Sequence, residues 1–292
     1  MDLLDSFSRA LEIHRRAPAH FSLRLFCRKV NYAVRSRILR FRFLWVPTFW
    51  GGKLLTPATE GASLFYYGLL SSEEERTTLF LIKNLRDDDV FFDIGGHYGF
   101  FTILAGQIVR RGEIHVFEPS PNNAFFLSRS VARAGTQVFL NTVALGAEEG
   151  NVDFYDGYAE GRGGSSSMIK EVSEKITPSA KKIVVPCMTL DTYIRTHRTP
   201  RIIKVDVEGA ESDIVKGAGK LLSKKGILLI IEIWRESALR AYSERTVREL
   251  QKIGYLPFGI RKDGSLETLS PEDIFGDADY KRWGANIVFQ KS

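Results

Sequence analysis

From residue 90 onward, short runs of apolar, β-branched and aromatic residues alternate with stretches whose apolar positions recur every three or four residues. The runs at 90–94, 114–117, 138–143, 202–207 and 228–233 predict strands, because they are short and rich in Val, Ile and Phe. Between several of them the patterns at 98–111, 122–134 and 210–222 predict helices, the first two stopping at Gly112 and Gly135. A further helix is predicted over 244–253, and "GYLPFGI" and "ANIVFQK" read as two closing strands. Strand and helix in alternation imply crossover units, hence an α/β fold whose sheet is mostly parallel with helices on both faces.

The first 90 residues read differently. Leu23, Phe26, Cys27, Val30, Val34, Ile38 and Phe41 fall on one stripe of a helix, with Arg24, Arg28, Arg35 and Arg42 on another face. Two uses of that helix stand open: packing over the main domain, or docking on anionic lipid or an acidic glycan carrier. "FLWVPTFWGGKLLTP" (43–57) predicts a bent hairpin turning near Gly51 and Gly52, and "SSEEERTTLFLIKNL" opens like a capped helix. Residues 156–183, rich in Gly, Ser and Lys, interrupt the later alternation and read as a surface loop or as a lid over a site.

Charge sharpens this division. Residues 1–50 hold ten Arg and Lys against three Asp and Glu, while the remaining 242 residues hold 31 bases against 32 acids. The expected organisation is a basic, amphipathic helical extension over 1–50 and an α/β domain over 51–292. Because the domain itself is not basic, nucleic acid is a poor candidate partner. No run reaches the roughly 20 apolar residues of a membrane span. The two cysteines, Cys27 and Cys187, form no disulfide framework. The expected location is the cytoplasm, with peripheral membrane contact through 20–42 left open.

Candidate chemistry begins at "VFFDIGGHYGFFT" (90–102). Gly95, Gly96 and Gly99 let a chain turn tightly after a strand and present backbone N–H groups to a ligand. Their spacing is not that of the dinucleotide fingerprint. Asp93 would face a pyrophosphate as a like charge, whereas S-adenosylmethionine carries an ammonium and a sulfonium and no phosphate. Glu118, ending the next strand, is placed to accept hydrogen bonds from the two hydroxyls of an adenosine ribose.

The strand "RIIKVDVEGAE" puts Lys204 and Asp206 on one face and carries Asp206 and Glu208 to its carboxyl end, where open α/β sheets bind ligands; Glu232 ends the next buried run at the same edge. Three roles compete for these acids: orienting cofactor or acceptor, holding a divalent cation, or forming an ion-pair network with Lys204. His97 is a second candidate base. No H-E-x-x-H, paired C-x-x-C or G-x-S-x-G is present, which removes metalloprotease, zinc-ribbon and hydrolase readings.

"VFFDIGGHYGFFT", "VFEPSPNN", "NTVALG", "SSSM", "TLDTYI" and "IIKVDVEGAESDIVKGA", in this order, resemble the FkbM-type methyltransferases. The resemblance implies a class I, Rossmann-like fold with a seven-stranded sheet whose last strand is antiparallel, S-adenosylmethionine as cofactor, and methyl transfer to oxygen. By position it implies that Asp93, Gly95 and Gly99 line the methionine end, Glu118 the ribose, and Asn141 the adenine side. Where the family usually has Ala-Asn, this chain has Gly96-His97. The expectation is an O-methyltransferase acting on a hydroxyl of a saccharide, glycolipid or secondary metabolite. The rivals are an NAD-dependent oxidoreductase and a non-catalytic protein docking through its basic helix.

Overall fold

A computed structural model describes residues 2–16, 23–70, 74–157, 166–235, 239–276 and 286–291. Helices α1 (Leu3–Arg16) and α2 (Leu23–Ala33) lead through a π-helical turn, Val34–Ile38, into the hairpin β1 (Phe43–Pro47) and β2 (Lys53–Pro57). After α3 (Ala62–Tyr67) and α4 (Glu75–Asn84) come β3 (Val90–Ile94), α5 (Phe100–Gly106), β4 (Glu113–Phe117), α6 (Pro121–Ala134) and β5 (Phe139–Asn141). The middle of the chain forms β6 (Ala144–Leu145), β7 (Gly150–Asp156), α7 (Lys170–Ile176), β8 (Lys181–Met188) and α8 (Leu190–Tyr193). It continues as β9 (Ile202–Val205), α9 (Glu211–Lys216), α10 (Gly219–Ser223), β10 (Leu228–Glu232), α11 (Arg240–Lys252), β11 (Leu256–Ile260), β12 (Leu266–Thr268), α12 (Pro271–Phe275) and β13 (Asn286–Gln290).

The main sheet runs β12-β11-β13-β10-β9-β3-β4-β5. β13 is antiparallel to β10 and β11, and β12 is antiparallel to β11, so the other six strands are parallel to one another. This corrects the expected count: the sheet has eight strands, because β12 adds an edge that a three-residue run does not announce. Alternation along each central strand feeds two apolar layers. Phe92, Ile203, Leu229 and Ile287 pack beneath α8 to α11. Phe91, Ile202, Ile230 and Val288 pack beneath α4 and α5. Fully burying side chains of this size contributes roughly 1.5–3 kcal/mol each.

Local signals explain the helix that follows β4. Ser120 caps α6 by accepting from the Asn123 amide, Pro121 occupies the first turn, and Gly135 ends the helix in the left-handed conformation at φ 67°. The pattern at 210–222 breaks into α9 and α10 around Gly217, where an added Cβ would strike the Gly146 carbonyl. Glu74 precedes α4 without a side-chain capping bond, and the serines on which the expected cap rests, Ser71 and Ser72, lie outside the described residues.

Two expectations for the flanking regions change. The charge-based boundary at residue 50 falls inside the β1–β2 hairpin, and Phe7, Ala10 and Tyr32 share an apolar cluster with Phe80, Phe91 and Phe101. Among the described residues, α1, the inner side of α2 and β1 are thus packed on the domain. The 156–183 region is not one long loop: it holds α7 and the start of β8, which pairs with β7 in a separate three-stranded sheet, β6-β8-β7. Residues 158–165 of that region lie outside the described residues.

Candidate active site

At the carboxyl ends of β3, β4, β9 and β10 lies a cavity of about 230 Å³. Gly95, His97, Glu118, Asp206, Glu208 and Glu232 line it, Glu74 enters from the start of α4, and Val143, Leu145, Phe154 and Met168 give it an apolar wall. Ser166 also lines it, so the segment just after residue 165 borders the site.

Backbone conformation brings these groups together. Gly95 has φ +83°, and a Cβ there would overlap the Asp206 carbonyl oxygen. The turn after β3 and the end of β9 can therefore touch only because residue 95 has no side chain. Among the described residues three non-glycine positions have positive φ: Arg40 (48°), His97 (50°) and Glu208 (56°). Two of the three line this cavity, where such strain is commonly held for a functional geometry.

Glu118 is buried and held by both oxygens. Oε2 accepts from the His97 backbone N–H at 2.8 Å, and Oε1 from the Ser120 N–H at 2.9 Å and the Asn123 amide at 3.4 Å. Oε1 thus uses both of its lone pairs within the protein, while Oε2 keeps one for a ligand hydroxyl. Burial pushes its pKa up to about 7 against the opposing pull of His97 and these hydrogen bonds.

The strand-end carboxylates form the densest charge in the site. One oxygen each of Asp206, Glu208 and Glu232 lies within 4.8 Å of the others. Lys204, 2% exposed, donates to Asp206 Oδ2 at 2.8 Å. Burial alone would lower the lysine pKa, but the Asp206, Asp93 and Glu74 carboxylates outweigh it and hold the ammonium charged. Asp206 is correspondingly kept below its usual value: burial raises it, and Lys204 more than reverses that. Glu208 is raised well above the carboxylate range by burial and then by Asp206 and Glu211; Glu232 by burial and then by Asp206, Glu208 and Glu74. Oε2 of Glu208 and Oε2 of Glu232 are buried without a protein partner.

The remaining expected residues fall elsewhere. Asp93 is 1% exposed and does not line the cavity; it accepts from Thr102 Oγ1 at 2.6 Å and sits in register with Lys204 on the neighbouring strand. The expected contact between Asp93 and the ligand is therefore replaced, in this structure, by a role beneath the loop, where it adds to the field that keeps Lys204 charged. Lys204 likewise lies below the cavity, over the Phe101 ring at 4.8 Å. Gly96 packs against Val116, and Gly99 at φ +90° begins α5, so both shape the loop without lining the cavity. Asn141 donates its amide to the carbonyls of Val116 and Phe139 and to the Tyr193 hydroxyl, away from the cavity. Glu211, the last acid of "DVEGAE", accepts from the Gly209 and Val207 amides and fixes the turn; burial pushes its pKa up to about 7. Glu74 was the functional candidate least visible in the sequence, its only signal being an acidic run before an apolar helix.

A parallel sheet in this order, with a late antiparallel strand inserted beside β10 and a cavity at the strands' carboxyl ends, is the architecture of class I S-adenosylmethionine-dependent methyltransferases. The model of the Methyltransferase FkbM domain matches residues 93–257, and the chain belongs to that family. Among curated proteins it is similar to the hexuronic acid methyltransferase AglP of Haloferax volcanii, 21% identical over 159 residues, which are 54% of this chain and 61% of that protein. Among solved structures it is similar to methyltransferase FkbM from Methylobacillus flagellatus KT, at 15% identity and TM-score 0.43, covering 79% of this chain and 54% of that one. It is also similar to precorrin-6y C5,15-methyltransferase from Geobacter metallireducens GS-15, at 14% identity and TM-score 0.44, covering 75% and 88%. The family match sets aside the oxidoreductase reading.

Proposed function

We propose that this chain is an S-adenosylmethionine-dependent O-methyltransferase, and that its acceptor is a hydroxyl of a saccharide or of a glycolipid or secondary metabolite carrying one. The observation that carries the reading is the cluster of Asp206, Glu208 and Glu232 facing the same cavity as Gly95 and Glu118. The name of the Haloferax volcanii relative supports a sugar acid as the first acceptor to try. Bound S-adenosylmethionine supplies a methyl group on a cationic sulfur, which an acceptor oxygen takes in line as the carbon–sulfur bond breaks. Glu118 would bind the ribose hydroxyls, and the apolar wall of Val143, Leu145 and Phe154 would exclude water from the adenosyl side.

The acceptor hydroxyl must lose a proton, and the strand-end acids are suited to receive it. Glu208 and Glu232 have a raised proton affinity, an oxygen free of protein partners, and a place in the cavity wall. Because burial and then like charges lift their pKa, a cationic ligand in the cavity pulls both toward the ionised, proton-accepting form. Asp206 stays ionised beside Lys204 and orients the pair.

A second reading has its own observation. Three carboxylate oxygens within 4.8 Å suit a hard divalent cation such as magnesium or calcium, which would polarise the acceptor oxygen, although Lys204 already occupies one Asp206 oxygen. One experiment separates the readings. Methyl-labelled S-adenosylmethionine is incubated with a panel of uronic acids and neutral sugars, with and without a chelator. Glu208→Gln is expected to cut kcat by about 10²–10⁴-fold while S-adenosylhomocysteine affinity stays within a few-fold. Loss of transfer on chelation, restored by magnesium, supports the metal reading. Full activity of Glu208→Gln contradicts the role given to Glu208, and absence of label from every uronic acid and neutral sugar of the panel contradicts a saccharide hydroxyl as acceptor.

A further inference from the structure

The stripe of apolar residues on α2 does not face the domain. Leu25 and Tyr32 point inward, the Tyr32 hydroxyl donating to the Ala58 carbonyl, and Arg28 donates to the Tyr66 carbonyl. Consequently Leu23 (67% exposed), Phe26, Val30, Ile38 (72%), Leu39 and Phe41 lie open to solvent. Phe26, Val30, Val34 and Leu39 line one shallow groove. The chain then enters β1, which buries Leu44 and Val46 and turns Phe43 and Trp45 outward. Phe43 meets the exposed Phe125 of α6 at 6.3 Å between ring centroids. A run of exposed apolar side chains on this scale is unusual for a surface with no partner.

The charges carried by these elements themselves have one sign, and acids reach them from outside at Glu60, near Tyr32, and Asp156, bonded to Asn122 of α6. From residue 13 to residue 59 the sequence contains no Asp or Glu, and neither does α6. Lys29, Arg35, Arg37, Arg40 and Arg42 are exposed among the apolar side chains. Arg133 lies over the Trp45 ring at 4.7 Å and Arg129 over Phe125 at 5.4 Å, so basic groups border the aromatic end as well. Arg40 even adopts a left-handed backbone, at φ 48°, in the turn joining the two parts. A second copy of this chain would bring like charge against like charge, and an acidic polymer would leave the apolar residues without a use. Apolar side chains interleaved with arginines, and a tryptophan at the margin, match an anionic lipid surface, which accepts both.

We infer that the surface formed by α2, the π-helical turn, the outer side of β1 and the start of α6 docks the protein peripherally on a bilayer containing anionic lipid. Among the described residues no helix is long and apolar enough to cross a membrane. The surface adjoins the site through packed rings, Phe43 on Phe126 (5.3 Å), Phe126 on Tyr98 (5.3 Å) and Tyr98 on His97 (3.5 Å), the last of which lines the cavity. Of residues 20–42, residues 20–22 lie outside the described residues, and the surface begins at Leu23.

The test is cosedimentation of the full chain, without cofactor or acceptor, on vesicles of phosphatidylcholine alone and of phosphatidylcholine with phosphatidylglycerol. Binding is expected only to the mixed vesicles. At about fivefold per arginine, Arg35→Gln/Arg37→Gln/Arg42→Gln should bind on the order of a hundredfold more weakly. Ile38→Ser/Leu39→Ser, which keeps every charge, should also bind more weakly, by roughly tenfold or more. Equal binding to both vesicle types, or no binding to either, overturns the inference. So does loss in the arginine variant with full retention in the serine variant, which would mark a plain polyanion site. Concentration-dependent dimerisation abolished by either variant would assign the surface to a second copy and equally refute it. Affinity for S-adenosylhomocysteine, measured on each variant, reports folding and bears on the methyltransferase reading separately.

Discussion

At the carboxyl edge of the sheet, Glu74, Asp206, Glu208 and Glu232 share a cavity above the buried Lys204, whereas on the surface of α2, β1 and α6 seven exposed Lys and Arg residues stand among exposed aromatic and aliphatic side chains. In the first region charge lies in a low-dielectric place and must be matched by Lys204, by protons or by a ligand. In the second, charge is already solvated and it is the apolar surface that lacks a partner. Two regions of opposite polarity thus show the same symptom, a group left without its complement: free oxygens on Glu208 and Glu232 in one, exposed Ile38 and Leu39 in the other.

If the two regions differ in this way, substitutions in them should differ in their effect on stability. Lys204→Met strips the counter-charge from Asp206 and Asp93 and should cost about 3–5 kcal/mol, the scale of breaking a buried pair. Urea unfolding reads this directly, and a loss under about 1 kcal/mol would mean the acids are satisfied without the lysine. Ile38→Ser/Leu39→Ser should change unfolding by no more than about 0.5 kcal/mol, because neither side chain is buried. A larger loss would show that these residues hold the fold, and the comparison would fail on that side.

Much of the sheet was legible in the sequence because its strands are buried on both faces and read as continuous apolar runs: 90–94 and 228–233 match β3 and β10 to within a residue. Short or half-exposed strands carried little signal, which is why β6, β12 and the β7–β8 pair were missed. The α2 stripe was visible, but a stripe does not say which way it faces; here Leu25 and Tyr32, off the stripe, are buried, Tyr32 against the rings of Phe65 and Tyr66. The strand-end rule accounts for Glu118, Asp206, Glu208 and Glu232 lining the cavity. It does not do so for Asp93, where strand alternation places the side chain on the Phe91 side, toward α5 and Thr102 and beneath the loop.

The most direct measurement is calorimetric titration of S-adenosylhomocysteine into the full chain at about pH 6 and about pH 8. Glu118 must be ionised to accept from ribose hydroxyls, and burial lifts its pKa to about 7, so binding should strengthen as pH rises. Roughly a tenth of such a group is ionised at the lower pH and roughly nine tenths at the higher, which sets an expected gain of about tenfold. Glu118→Gln should bind more weakly and lose that dependence. Binding that is absent at both pH values, or equally strong in wild type and Glu118→Gln at both, would contradict the assignment of this cavity to the methyl donor.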